Sequence, residues 1–164
     1  MNAISRITVG YSEEEDRIEL ACEYDTGEIQ VLWLTRRLCS RLVAVLVSRM
    51  EEADARDPFS KKALQSWEFH EARAGLVPGS PVEGGDLPGA LVNAVDISQE
   101  GENVRLAFRW EAGAVLNLDG TALRQWLGIV RDAYVKAEWT DAIWPDWFDA
   151  SPVAHEAPAG FSLH

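Results

Sequence analysis

Ile18, Leu20, Cys22 and Tyr24 alternate with Arg17, Glu19 and Glu23, and farther on Val104, Leu106, Phe108 and Trp110 alternate with Arg105 and Arg109. A period of two with one apolar face predicts a half-buried antiparallel strand in each place. A shorter alternation precedes each of them: Ile7, Val9 and Tyr11 in the first case, Val95 and Ile97 in the second. The connections, residues 12–16 and 98–103, are polar and turn-like. After each main strand a glycine, Gly27 or Gly113, stands where a hairpin needs a residue at positive φ.

The two stretches are alike in detail. At an offset of 86, residues 9–27 fall on residues 95–113 with six identities in 19 positions, against about one expected from ordinary residue frequencies. Beyond the hairpin the offset is expected to drop to 85, which sets Val31 and Trp33 on Leu116 and Leu118. A helix then follows in each half. Thr35 is placed to cap the first, which carries Leu38, Leu42, Val45, Leu46 and Arg49 at helical spacing. Asp119 or Thr121 is placed to cap the second, with Leu123, Trp126, Leu127, Val130 and Tyr134 on its apolar face. The first helix has a second apolar stripe, Cys39, Val43, Val47 and Met50, so cover from two sides is expected.

Between the halves, Pro58–Ala74 has helical character, with Asp57 as its cap and Pro58 in the first turn. Here Ala63, Leu64 and Trp67 are expected to pack inward while Lys61, Lys62, Glu68 and Glu71 stay in water. Residues 75–89 are rich in Gly and Pro without periodicity and read as a mobile connector.

The expected fold is α+β: an internally duplicated β-β-β-α unit, its antiparallel sheet or sheets packed against two long helices about a pseudo-twofold axis. Residues 1–150 are expected to form one domain. Its parts are a first repeat (5–56), a helix plus connector (57–90), a second repeat (91–139) and an acidic aromatic segment (140–150). Residues 151–164 are expected to be a flexible tail. The length of 164 residues suits one core of ordinary size.

Charge narrows the partners. Fifteen basic against 27 acidic residues give a net charge of −12, a field that repels nucleic-acid backbones and anionic membrane surfaces. The longest apolar run, residues 42–47, is far short of a membrane span. The first residues lack a basic stretch followed by an apolar run, so no secretory signal is expected and a bacterial cytoplasm is the expected location. Cys22 and Cys39 make no metal or redox spacing and read as small buried hydrophobes.

No residue pattern supports a catalytic, metal or cofactor site. His70, His155 and His164 form no ligand spacing, and His70 reads as a solvated residue on a polar helix. Neither a dinucleotide fingerprint, a phosphate loop nor a nucleophile elbow is present. The acidic run at 13–16 lacks the alternating ligands and glycine of a calcium loop and reads as a solvated turn.

The expected function is therefore a non-catalytic acidic binding protein, an adaptor, inhibitor or accessory subunit that docks on a basic protein partner. The candidate anchors are Trp139, Trp144, Trp147 and Phe148, ringed by Asp146 and Asp149. Core cover is the competing reading of the same segment. An alternative function is a small-molecule or anion-binding domain, or an enzyme, using the groove between the repeats, with Arg36, Arg37 and Arg41 as the anion-binding cluster. Oligomeric state is left open.

Overall fold

The alternating runs become strands and the capped segments become helices. The computed structural model describes residues 1–148 and the backbone of 161–162. Along the chain lie β1 (Asn2–Ser12), β2 (Arg17–Tyr24), β3 (Ile29–Leu34), α1 (Arg36–Ala53), α2 (Pro58–Ala74), β4 (Gly89–Leu91), β5 (Ala94–Glu100), β6 (Asn103–Arg109), β7 (Gly113–Leu118) and α3 (Gly120–Ala137). A single 3-10 turn, Asp146–Phe148, follows, and β8 (Phe161–Ser162) pairs with β1. The expected tail, 151–164, otherwise lies outside the described residues.

The fold is α+β as expected, but the sheet is mixed and curled rather than purely antiparallel: its order is β4-β3-β2-β1-β7-β6-β5, with α1, α2 and α3 among the described residues. Two antiparallel meanders, β1-β2-β3 and β5-β6-β7, are joined where the start of β1 runs parallel to β7, Asn2 opposite Ala114. The other junction is parallel as well, β4 against β3 with Leu91 opposite Trp33. The ends of the path are consecutive in the chain. Val92 N–H donates to Trp33 O at 3.0 Å and Asn93 N–H to Arg109 O at 2.7 Å, so one run leaves β3 and joins β6.

Side-chain hydroxyl or carboxylate caps start all three helices. Thr35 accepts from Leu38 N–H, Asp57 from Ser60 N–H and Asp119 from Ala122 N–H, which satisfies a donor left over in each first turn. The core fills the space between sheet and helices, with Ile18, Leu20, Leu34, Leu106, Phe108 and Trp126 fully enclosed. As expected, α1 buries both of its stripes, through Cys39, Leu42, Val43, Leu46 and Val47, although Val45 is exposed. All five expected apolar positions of α3 are buried.

The register corrects the offset expected for the third strand. Ile18 pairs with Leu34 and Val104 with Leu118, so once Ile18 is matched to Val104 the offset after the hairpin is 84, not 85. Leu32 and Leu34, matching Leu116 and Leu118, face the core. Val31 and Trp33 point to the other face, where the connector covers them. A Cβ on Gly84 would overlap Val31, and one on Gly89 would overlap the Trp33 indole. β3 is thus apolar on both faces because both are packed, which accounts for its unbroken run from Val31 to Leu34. The connector is pinned elsewhere too: Val82 N–H donates to Thr8 Oγ1 at 2.8 Å and Arg6 donates to Ser80 O at 3.2 Å.

Two further expectations differ from the structure. Gly27 has the positive φ that its hairpin needs (84°), but Gly113 simply opens β7 opposite Arg109, and the positive-φ glycine of that half is Gly101 at 61°, between β5 and β6. α2 is turned over: Gln65, Phe69 and Ala72 face inward, while Ala63, Leu64 and Trp67 face solvent.

Candidate functional site

α2 packs against α3 and the turn at Asp146–Phe148 with one face and leaves an apolar stripe on the other. Phe59 is 89% exposed and Trp67 59% exposed, with Ala63 between them and Leu64 alongside. Positions 59, 63 and 67 recur at i, i+4 and i+8, so they line up on successive turns over about 12 Å. Large exposed rings are ordinary when scattered. Two on one helical stripe, on a helix whose opposite face is already packed, make a patch.

Beside this stripe lies a cleft of about 620 Å3. It is bounded by the end of α1, the α1–α2 link, α2, the β5–β6 turn and the start of α3, with Trp67 and Glu71 on its α2 wall and Glu102 and Thr121 opposite. Its floor is an ion-pair network. Asp54 receives Arg56 through Nε at 2.8 Å and Nη2 at 2.7 Å, and Gln65 Nε2 at 2.9 Å. Glu68 receives Arg56 Nη1 at 2.7 Å and Arg124 Nη2 at 2.6 Å, and Arg124 also donates to Gln65 Oε1 at 2.9 Å. These bonds tie the α1–α2 link to α2 and α3.

The electrostatics follow from that pairing. The Arg56 guanidinium holds the Asp54 carboxyl well below the usual carboxylate range, and Asp54 in return raises Arg56. Burial pushes the Glu68 carboxyl up, but hydrogen bonds from Arg56 and Arg124 outweigh it and the net shift is downward. Asp54, Arg56 and Glu68 therefore stay ionised at neutral pH and act as fixed charges rather than proton carriers. Two acids and two arginines cancel within the network. Glu71 and Glu102 add negative charge at the cleft wall, with no hydrogen bond or ion pair to either side chain among the described residues.

Three of the four aromatic anchors expected at the end of the chain are placed inside. Glu138 ends α3 in the left-handed region at φ 57°, and Trp139 N–H returns to Tyr134 O at 3.0 Å, which turns the chain back over the helices. Trp139, Trp147 and Phe148 are buried and Trp144 is half-buried. Trp147 stacks on Phe148 with centroids 4.5 Å apart, and Phe148 lies 4.3 Å from Phe69 of α2. Trp139 and Trp144 both meet Tyr134 edge-on. Asp146 remains in water and pairs with Lys62 at 3.3 Å; Asp149 lies outside the described residues. In this arrangement Trp139, Trp147 and Phe148 cover the core, and Trp144 is the one ring of the four that stays partly open to solvent.

Of the arginines of the anion-binding alternative, Arg37 and Arg41 stand one turn apart on α1, and Arg36 lies at its start. Arg36 is occupied: it pairs with Asp141 and lies over the Trp139 ring at 5.6 Å. Ser40 also donates to Asp141 and accepts from the Tyr134 hydroxyl at 2.7 Å, which fastens the returning chain to α1. Arg36 and Ser40 hold the Asp141 carboxyl below its ordinary value. Arg37 and Arg41 are exposed.

Both thiols are free and buried, and burial pushes Cys22 up strongly and Cys39 up to about 12. His70 is half-buried rather than fully solvated: its Nε2 is buried with no hydrogen-bond partner among the described residues, and its ring meets Phe69 edge-on. Among the described residues no three or more His, Cys, Asp or Glu side chains gather as a metal site, and no helix is long and apolar enough to cross a membrane.

Reading the sequence missed Phe59 and Trp67. The available signal was that α2 carries two apolar stripes, Phe59-Ala63-Trp67 and Phe69-Ala72, of which one helix side can enter the core. Comparison of the chain with protein-family models, with curated proteins and with solved structures found no match in any of the three.

Proposed function

We propose that the protein is a non-catalytic binding protein, an adaptor, inhibitor or accessory subunit, that docks on a basic protein surface through the outer face of α2. The carrying observation is the exposed Phe59-Ala63-Trp67 stripe beside a cleft with an acidic wall. Aromatic anchors supply most of the affinity in such surfaces, and the net charge of −12 selects basic partners and speeds their encounter. The same charge works against nucleic acid as a partner. The anion-binding alternative is weakened at Arg36, which is already paired, as are Arg56 and Arg124 in the cleft, while Arg37 and Arg41 stay exposed on α1.

The test starts from affinity capture in the native host, identification of the partner, and titration of the two purified proteins. A basic partner is expected, with affinity that falls as salt rises. Phe59→Ala with Trp67→Ala should weaken it by tenfold or more at unchanged melting temperature. An acidic partner, or undiminished affinity in the double variant, would refute the reading.

We also propose that the two β-β-β-α stretches descend from one duplicated unit related by a pseudo-twofold axis. The offset of 86 through β2 and β6, its drop to 84 from β3 and β7 onward, and the capped 18-residue helices α1 and α3 support this. So does the placement of one parallel junction at the third strand of each stretch. In an experimentally determined structure, superposing 17–24 and 31–53 on 103–110 and 115–137 should align the strands and bring Thr35 onto Asp119. Helices that cross their strands at unrelated angles would overturn it.

A further inference from the structure

We propose that the cleft beside Trp67 is an arginine-reading site, in which a guanidinium from the docked partner stacks on the Trp67 indole and pairs with Glu71. This rests on the docking reading above and names the chemistry of the anchor that the partner supplies. Trp67 and Glu71 are one turn apart on α2, so indole and carboxylate stand on the same side of the helix, and both line the cleft. The molecule already builds this combination from its own residues: Arg36 lies over Trp139 at 5.6 Å and pairs with Asp141, two residues farther on. Arg131 likewise lies over the Trp144 ring at 5.6 Å. At Trp67 the ring is 59% exposed and no cation is recorded over it among the described residues.

The floor of the cleft favours a cation with a planar fork. Arg56 and Arg124 are held by Asp54, Glu68 and Gln65, so neither is free to compensate Glu71 or Glu102. A guanidinium satisfies a carboxylate with two parallel N–H donors while its flat face rests on an indole, which an ammonium cannot do. The cleft, at about 620 Å3, has ample room for that side chain.

The probe is N-acetyl-arginine amide, titrated into the full chain while the Trp67 indole N–H is followed by NMR and identified with Trp67→Phe. The neutral control is N-acetyl-norleucine amide. A saturable shift of the Trp67 signal by the arginine compound alone, weakened at least about fivefold in Glu71→Gln as expected for one charge-assisted pair, supports the site. An unmoved signal, equal shifts with the norleucine control, or an unaffected Glu71→Gln would each overturn it. Glu71 is exposed, so Glu71→Gln is expected to fold. If Phe59→Ala weakens partner binding while the arginine probe leaves Trp67 unmoved, the arginine site falls and the docking reading stands. If the probe binds but the partner ignores Phe59→Ala, the docking reading fails instead.

Discussion

Removing the indole of Trp147 separates core cover from docking anchor. The ring is 5% exposed, stacked on Phe148 at 4.5 Å and edge-on to Phe69 at 5.9 Å. An indole of this kind hides about 200 Å2, and at about 25 cal/mol per Å2 its burial is worth up to about 5 kcal/mol. Its Nε1–H bond to Glu51 is long, 3.3 Å, and adds about 1 kcal/mol at most. Trp147→Ala is therefore expected to cost about 3–5 kcal/mol, in the range of buried aromatic truncations. For a chain of this length that lowers the melting temperature by roughly 6–20 °C. Urea titration followed by circular dichroism measures the loss, with Trp67→Ala, an exposed indole in the same molecule, as the control within about 0.5 kcal/mol. A loss under about 1 kcal/mol for Trp147→Ala, or equal losses for the two variants, would refute the assignment of inner and outer rings.

Acid should unfold the protein through paired carboxylates. Asp54 and Asp141 both titrate below the ordinary aspartate value of 3.8 in the folded chain, so their contribution is complete above that value and disappears as pH falls through the lower folded values. Stability is expected to drop below about pH 4, and Asp54→Asn to lower it at neutral pH while flattening the acid limb; a parallel pH profile would count against the network. Cys22 and Cys39 should resist a thiol reagent at pH 8 in the native state and react when the chain is unfolded, because burial keeps both protonated; fast native labelling would contradict their placement. Gly84→Ala should destabilise by about 1–3 kcal/mol through overlap with Val31. A neutral result in the same urea titration would show that the connector does not press on β3.

How much of this was legible depended on whether one physical pattern had one solution. The strands at Arg17–Tyr24 and Asn103–Arg109 each alternate cleanly, and the caps at Thr35, Asp57 and Asp119 precede clear helical patterns, so these elements and their order could be read. The run from Val31 to Leu34 has no alternation, so the face turned to the core was decided by the register of its hairpin. Five residues separate the paired Glu23 and Ile29, but three separate Arg109 and Gly113. That difference of two moves the offset from 86 to 84 and preserves the inward face, whereas a change of one would invert it. The curl of the sheet left no local trace, because it depends on β4 and β5 reaching opposite ends of the strand order.

The site was harder to read, because apolar stripes say that a face seeks cover and leave open what covers it. α2 has one stripe with Phe69 and Ala72 and another with Phe59, Ala63 and Trp67, and by side-chain size alone the Phe59 stripe would be the better core face. What decides between them is charge. Gln65, Glu68 and Arg73 flank the inner stripe and meet Arg124, Gln125 and Asp132 of α3 or its neighbours: Arg124 reaches Gln65 and Glu68, Gln125 donates to Ala72 O at 2.8 Å, and Arg73 pairs with Asp132 at 3.0 Å. Turning α2 over would bury Phe59 and Trp67 but strand those polar partners against apolar surface, and an unpaired buried charge costs more than an exposed ring. The aromatic segment at 139–148 resolves in the same way. Its rings find Tyr134, Phe69 and Arg131 within reach once Glu138 turns the chain back. The rings left facing solvent, Phe59 and Trp67, are those whose inward rotation would break the ion pairs between α2 and α3, so their exposure follows from the fold and leaves them available to a partner.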